Sequence, residues 1–201
     1  MDTDLLLVQD LCARLCHDLG GPVGTVAGAL DLADSAGEEA LDLAKDAAAS
    51  MRARLRVWRA ACGGGVGDMT APALSEMLDG VLAGGRARLD THGLSEDVTL
   101  PAATAQLLLT GCLLAGEALP RGGIVHMEMT PEGAFHILPE GRVAAWPPAL
   151  AAALAGEARD GGPREVLGPF LISLAQHLRH DVALVRAADI DTPVLAITPS
   201  A

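Results

Sequence analysis

The sequence predicts a chain of two parts: an all-α antiparallel helical hairpin that pairs with a second copy as a dimeric four-helix bundle, then an α/β two-layer sandwich. Three observations predict it. Apolar residues recur at alternating three- and four-residue steps through Leu5, Val8, Cys12, Leu15, Leu19, Pro22 and Val26, and again through Leu41, Ala44, Ala48, Met51, Leu55, Trp58 and Cys62, the seam of a packed helix pair. The run Gly63-Gly64-Gly65-Val66-Gly67-Asp68 then breaks the pattern, as a connector does. Beyond it, short alternating runs lie between helical ones, which is the signature of strands mixed with helices. The expected division is therefore 1–62 hairpin, 63–68 linker and 69–201 α/β domain.

Each element follows from local chemistry. The first helix is expected from about Thr3 to Asp34, interrupted or bent near Pro22, which lacks an amide hydrogen for the ladder. Ser35-Ala36-Gly37-Glu38 has the spacing of a capping box that starts the second helix. Arg52, Arg54, Arg56 and Arg59 mostly flank its apolar stripe. One hairpin cannot cover its own stripe, so two are expected to associate as a homodimer. In the second part we expect a helix at about Ala71 to Leu89, an extended piece at Val98 to Leu100 and an apolar helix from Ala102 to Leu119. A hairpin follows from Ile124 to Met129 and Ala134 to Leu138 around Pro131-Glu132-Gly133. Helices at Pro147 to Gly156 and Pro169 to Arg179, then strands at Val182 to Arg186 and Val194 to Thr198, complete it.

Composition removes several function classes. The 201 residues are half apolar but only 2% aromatic, so alanine, leucine and glycine build the core. A formal charge of −12 argues against nucleic-acid binding, which needs concentrated Lys and Arg. The single lysine, Lys45, is in no Gly-rich phosphate loop, so a P-loop site is absent. Met1-Asp2-Thr3-Asp4 lacks the basic region of a secretory signal, and the apolar run from Ala102 to Leu119 carries Thr104, Gln106, Thr110 and Glu117, so a cytoplasmic chain with no membrane span is expected. Cys12, Cys16, Cys62 and Cys112 form no CxxC pair and read as reduced thiols. Cys12, Cys16 and His17 lack the fourth donor of a zinc site, so no metal is expected.

The candidate site is Leu15-Cys16-His17-Asp18-Leu19-Gly20-Gly21-Pro22. The heptad register puts His17 opposite the apolar seam, facing water. Gly20, Gly21, Gly24 and Gly28 lie three, four, seven and eleven residues further on. They share its helical face and leave the imidazole sterically open to a partner, although each glycine weakens a helix by about 1 kcal/mol relative to alanine. Arg14, one turn before His17, is on the same side. His177 and His180 read as a surface pair, and His92, His126 and His136 have no recognisable setting.

Leu15 to Pro22 resembles the phosphoacceptor box of sensor histidine kinases, His-Asp/Glu-Leu-x-x-Pro, carried on the first helix of a dimerising hairpin. Cys16-His17-Asp18-Leu19, Pro22-Val23-Gly24 and the later Glu117-Ala118-Leu119-Pro120-Arg121-Gly122-Gly123 resemble the bacterial histidine phosphotransferases of the ChpT type, a likeness that spans nearly the whole chain. It implies that 69–201 has the fold of a histidine-kinase ATP domain. The departures from a kinase matter most. Where its magnesium-binding Asn is expected stands Leu114, which has no donor oxygen. Pro139-Glu140-Gly141-Arg142-Val143 replaces the Asp-x-Gly-x-Gly adenine box, and the lid glycines are reduced to Gly168.

The resemblance therefore implies a protein that does not use ATP but relays a phosphoryl group between receiver-domain aspartates through His17 in a multistep phosphorelay. It implies that Asp18 bonds the second ring nitrogen, fixes the tautomer and offsets charge on the ring; consecutive residues leave a helix on different faces, so this contact depends on rotamer. Arg14 would steady the phosphoryl oxygens, and Gly20, Gly21 and Gly24 would meet the receiver. The expected partners are receiver domains of response regulators and of a hybrid histidine kinase. No cofactor is expected, Mg²⁺ being held by the partner receiver alone. A non-catalytic dimeric adaptor and a divergent ATP-dependent histidine kinase are the alternatives.

Overall fold

In the computed structural model, which describes residues 3–65, 67–157, 162–186 and 191–200, the chain begins with a long helical hairpin. Helix α1 (Thr3–Asp31) runs through Pro22 without ending there. A short turn of helix, α2 (Ala33–Ala36), leads to α3 (Glu38–Ala61). The expected interruption at Pro22 is thus absent. The capping box is absent too, because Ser35 Oγ donates to the Leu32 carbonyl at 3.0 Å instead of accepting from Glu38. Gly37 stands as the N-cap of α3, with φ +58° and no side-chain cap. Such a left-handed corner suits glycine.

Small residues set the hairpin seam. Ala29 on α1 and Ala40, Ala44, Ala47, Val57, Trp58, Ala60 and Ala61 on α3 are buried. Leu15, Leu19, Pro22 and Val26 are half-buried, whereas Leu5, Val8, Leu30, Leu41, Leu43 and Leu55 remain exposed, Leu30 by 57% and Val8 by 55%. The expected seam is therefore split between residues covered within the chain and residues left open.

The connector is tied down at both ends. Gln106 Nε2 donates to the Ala61 carbonyl at 2.9 Å, and Asp68 Oδ1 accepts from the Ala102 amide at 3.1 Å, so the glycine run docks the hairpin onto the next layer. Strand β1 (Met69–Thr70) pairs antiparallel with β3 (Thr99–Leu100). Thr70 caps α4 (Ala71–Leu78) by accepting from the Ala73 amide at 3.4 Å. The helix expected to reach Leu89 stops at Leu78, because Gly80 takes φ +69°. A 3₁₀ turn at Leu82–Gly85 and strand β2 (Ala87–Gly93) occupy the remainder.

Helix α5 (Ala102–Glu117) is the centre of the molecule, buried on nearly all sides from Thr104 to Gly116. That explains its uniformly apolar sequence. It lies on a five-stranded sheet made of β2, β4 (Gly123–Met129), β5 (Phe135–Glu140), β6 (His180–Val185) and β7 (Val194–Pro199) in the order β2-β4-β5-β7-β6. Only β2 and β4 run parallel; the other neighbours are antiparallel. Val125, Met127, Phe135, Ile137, Leu195 and Ile197 are buried and form the apolar side of the sheet. Gly111 makes the close approach of α5 possible, since a Cβ there would sit 2.7 Å from Ile137 Cδ1. Helices α6 (Pro148–Leu154) and α7 (Leu167–His177) complete the helical layer, with a 3₁₀ turn at Pro163–Glu165 between them.

Candidate functional site

The site forms where α1, α3, the Leu82–Gly85 turn, the end of α5 and the Pro163–Glu165 turn converge. A cleft of about 440 Å³ there is lined by His17, Asp18, Arg54, Trp58, Glu117 and Arg164, among others. A second opening, about 570 Å³, adjoins it across Arg14 and His17. His17 stands on the rim with 68% of its side chain exposed, as the helical register required. Gly20, Gly21, Gly24 and Gly28 are exposed, and a Cβ at any of them would meet nothing within 4 Å. The face around the imidazole is open.

Beneath the ring is a chain of charged groups. His17 Nδ1 lies 3.2 Å from Asp18 Oδ1, so the rotamers do bring these consecutive residues together. Nδ1 is thereby the nitrogen oriented by protein, and Nε2 is the one available to a partner. Asp18 is only 16% exposed. It accepts from Arg14 Nε at 3.0 Å on Oδ1 and 3.1 Å on Oδ2, and from the Trp58 indole at 3.3 Å on Oδ2. Arg14 is turned inward: its NH2 lies 2.6 Å from Glu117 Oε1, and its NH1 donates to the Arg164 carbonyl at 3.2 Å. Sequence spacing placed Arg14 beside His17 as a phosphoryl contact. In the structure Arg14 lines both openings beside His17 and also links Asp18 to the second part of the chain.

Electrostatics match this burial. Burial opposes the Arg14 charge, but Glu117 and Asp18 more than offset it, and the guanidinium is held above its ordinary range. Burial also pushes the Glu117 carboxyl upward; Arg14 pulls it back, and the nearby Asp18 charge adds to the rise. Glu117 Oε1 is buried and has no aligned hydrogen bond, so its contact with Arg14 is a close ion pair. Such a pair contributes little net stability, yet removing one partner strands the other charge.

Glu117, Trp58, Arg54 and Arg164 escaped the sequence-based selection of site residues. Glu117 offered one signal, being the first residue of the motif Glu117 to Gly123 and the acidic end of an otherwise apolar helix. The remaining histidines do have settings. On the face of the sheet away from α5, Asp90 bonds both His92 and His126, His126 Nε2 lies 2.7 Å from Glu140 Oε2, and His136 Nδ1 lies 3.3 Å from Glu128 Oε1. Only strand register brings these groups together. His177 is exposed, and His180 Nδ1 bonds the Leu178 carbonyl at 2.8 Å. Among the described residues no group of three His, Cys, Asp or Glu side chains is arranged to hold a metal ion, and no helix is long and apolar enough to cross a membrane.

Comparison with known proteins gives the family and the fold. The family model for the histidine phosphotransferase C-terminal domain matches residues 72–190. Protein phosphotransferase ChpT of Brucella abortus (strain 2308) is 32% identical over 149 residues, which cover 69% of this chain and 69% of that protein. A 1.7 Å structure of a bacterial phosphotransferase superposes with a TM-score of 0.77 at 25% identity, over 98% of this chain and 97% of the other. The exposed histidine over a half-buried Asp18 thus occurs in a chain that belongs to the histidine phosphotransferase family, enzymes of the phosphorelay.

Proposed function

We propose that this phosphotransferase carries its phosphoryl group on His17 and relays it between aspartates of two receiver domains without using ATP. The observation that carries the reading is the exposed imidazole whose Nδ1 bonds a half-buried, multiply anchored Asp18. The lone pair of Nε2 attacks phosphorus of an aspartyl phosphate, the N–P bond forms and the P–O bond to the acyl oxygen breaks, releasing the receiver carboxylate. The ring keeps its Nδ1 proton and becomes positive, and the Asp18 carboxylate offsets that charge. A second receiver carboxylate reverses these steps. Phosphoryl transfer has a loose transition state, so aligning acceptor, phosphorus and leaving oxygen provides most of the catalysis. Exposure of the nucleophile and rigidity of its support are both needed.

The finer features belong to the same proposal. Residues 1–62 act as the dimerising phosphotransfer hairpin and 63–68 as the link. Residues 69–201 act as an ATPase-like domain that has lost its nucleotide site. Leu114 is 1% exposed within the core, so the place expected for a magnesium-binding Asn is filled by packed hydrocarbon. Gly168 lies against the Leu150 backbone, where a Cβ would come within 2.9 Å, and the only glycine kept from the lid is used for packing. Exposed Leu5, Val8, Leu30 and Leu41 supply apolar surface for a homodimeric four-helix bundle in the cytoplasm. Arg54, Arg86 and Arg164 around the cleft suit the acidic, Mg²⁺-holding pocket of a receiver. The exposed Gly20, Gly21 and Gly24 let that receiver approach closely.

Incubation with a panel of phosphorylated receivers tests the reading. Radiolabel is expected on the wild type, none on His17→Ala, and none on either from ATP alone. Label on His17→Ala would refute His17 as carrier; no label from any receiver would leave an adaptor; label from ATP would make the chain a kinase.

A further inference from the structure

We propose that Glu117 is a positioning residue for the transfer, acting on His17 through Arg14 and Asp18. The inference rests on His17 being the relay nucleophile. The order of contacts is continuous: Glu117 Oε1 to Arg14 NH2 at 2.6 Å, Arg14 Nε to Asp18 Oδ1 at 3.0 Å, and Asp18 Oδ1 to His17 Nδ1 at 3.2 Å. Glu117 ends α5, whereas the other three residues are on α1. The helical hairpin is therefore completed as a site by a carboxylate from the other half of the chain.

Charge explains why a carboxylate is needed there. Arg14 alone beside Asp18 would neutralise it and compete with the histidine for its lone pairs. With Glu117 present, Arg14, Asp18 and Glu117 sum to one negative charge beneath the ring. That charge is what a ring gaining positive charge on phosphorylation requires. The same balance leaves Asp18 Oδ1 a strong acceptor for Nδ1–H, which keeps the Nε2 lone pair free. Glu117 touches no reacting atom; it sets the state of the groups that do.

Rates are compared in the full chain for wild type, Glu117→Gln, Arg14→Gln and the double variant. Receiver affinity is measured alongside, together with the ¹⁵N shifts that report the His17 tautomer. Glu117→Gln is expected to slow transfer about 10-fold at saturating receiver with receiver affinity unchanged, a loss in the range seen when orienting groups behind a ligand are removed. The tautomer population should move toward Nε2–H. In the Arg14→Gln background the same change should cost nothing further, because the route from Glu117 is already cut. A wild-type rate in Glu117→Gln, or an undiminished loss in the Arg14→Gln background, overturns the proposal. Should Glu117→Gln fold poorly, the uncharged Glu117→Met, of similar length, is measured for tautomer alone, where an unchanged ratio overturns it as well. His17→Ala separates the two questions: transfer surviving there refutes the relay through His17, whereas its loss beside a normal Glu117→Gln refutes only the role of Glu117.

Discussion

Replacing Trp58 with phenylalanine isolates one strand of the support beneath His17. Trp58 is 5% exposed, and its indole donates to Asp18 Oδ2 at 3.3 Å. A hydrogen bond to a charged group is worth roughly 1.5–3 kcal/mol, and this one, at the long end of the distance range, belongs near the lower figure. The smaller ring also gives up about 40 Å² of buried surface, roughly 1 kcal/mol at 25 cal/mol per Å². The sum, about 2.5 kcal/mol, lowers the melting temperature of a chain this size by roughly 5–10 °C. Arg14 still holds both Asp18 oxygens, so the carboxylate is loosened, not released. Transfer should slow by about 3- to 10-fold, or roughly 0.7–1.4 kcal/mol of barrier. Far-UV circular dichroism melting and single-turnover transfer from a phosphorylated receiver measure the two effects. A melting temperature within about 1 °C of wild type, or an unchanged rate, would refute the claim that the indole supports Asp18.

Two other perturbations test different parts of the molecule. Leu114→Asn restores a donor oxygen in the buried centre of α5 but is expected to cost about 3–4 kcal/mol through lost apolar burial and an unpartnered amide. It should confer no ATP affinity by calorimetry; micromolar binding would show that the nucleotide site lacked only this ligand. Asp90 is held down at about 2, first by the backbone N–H of His92 and then by the His92 and His126 side chains. Its native value lies below the unfolded one, so its contribution to stability is complete above roughly pH 3.8 and fades as pH falls toward about 2. Melting temperature measured from about pH 5 to 2 should therefore fall less steeply in Asp90→Asn than in wild type, and parallel curves would contradict the assignment.

Elements with a regular period were legible in the sequence. The apolar run of α5, the β4–β5 hairpin and the exposed face of His17 follow from spacing alone, because each depends on residues close in the chain. The helix expected at Ala71 to Leu89 was misread for a physical reason. Leu74, Leu78 and Leu82 do repeat at helical spacing, but only Leu74 and Leu78 belong to α4; Leu82 is buried from the following 3₁₀ turn, and Asp79-Gly80, a turn signal, ends α4. Ser35 misled in the same way, since its spacing to Glu38 fits a cap while its hydroxyl serves the preceding turn. The inward role of Arg14 was beyond any local rule. Its partner Glu117 is distant in sequence, and only the docking of α5 against the hairpin, chiefly on α3, joins them.

That docking resolves a difficulty built into the His-Asp pair. A relay nucleophile must protrude far enough for a receiver to close over it, so nothing on the outer side can hold the ring. The neighbour that holds it from below leaves the helix on another face, where it needs support of its own. In this chain Asp18 obtains that support from α3 through Trp58 and from α1 through Arg14, and Arg14 in turn from α5 through Glu117. On the proposal made for Glu117, the α/β half supports the histidine even with Leu114 and Gly168 given over to packing. Its retention would then follow from the geometry of the acceptor, with receiver docking as a second use of the same surface. A hairpin lacking this half would keep an exposed His17, and Arg14 and Trp58 would still reach Asp18, but it would lose Glu117, the carboxylate that balances Arg14.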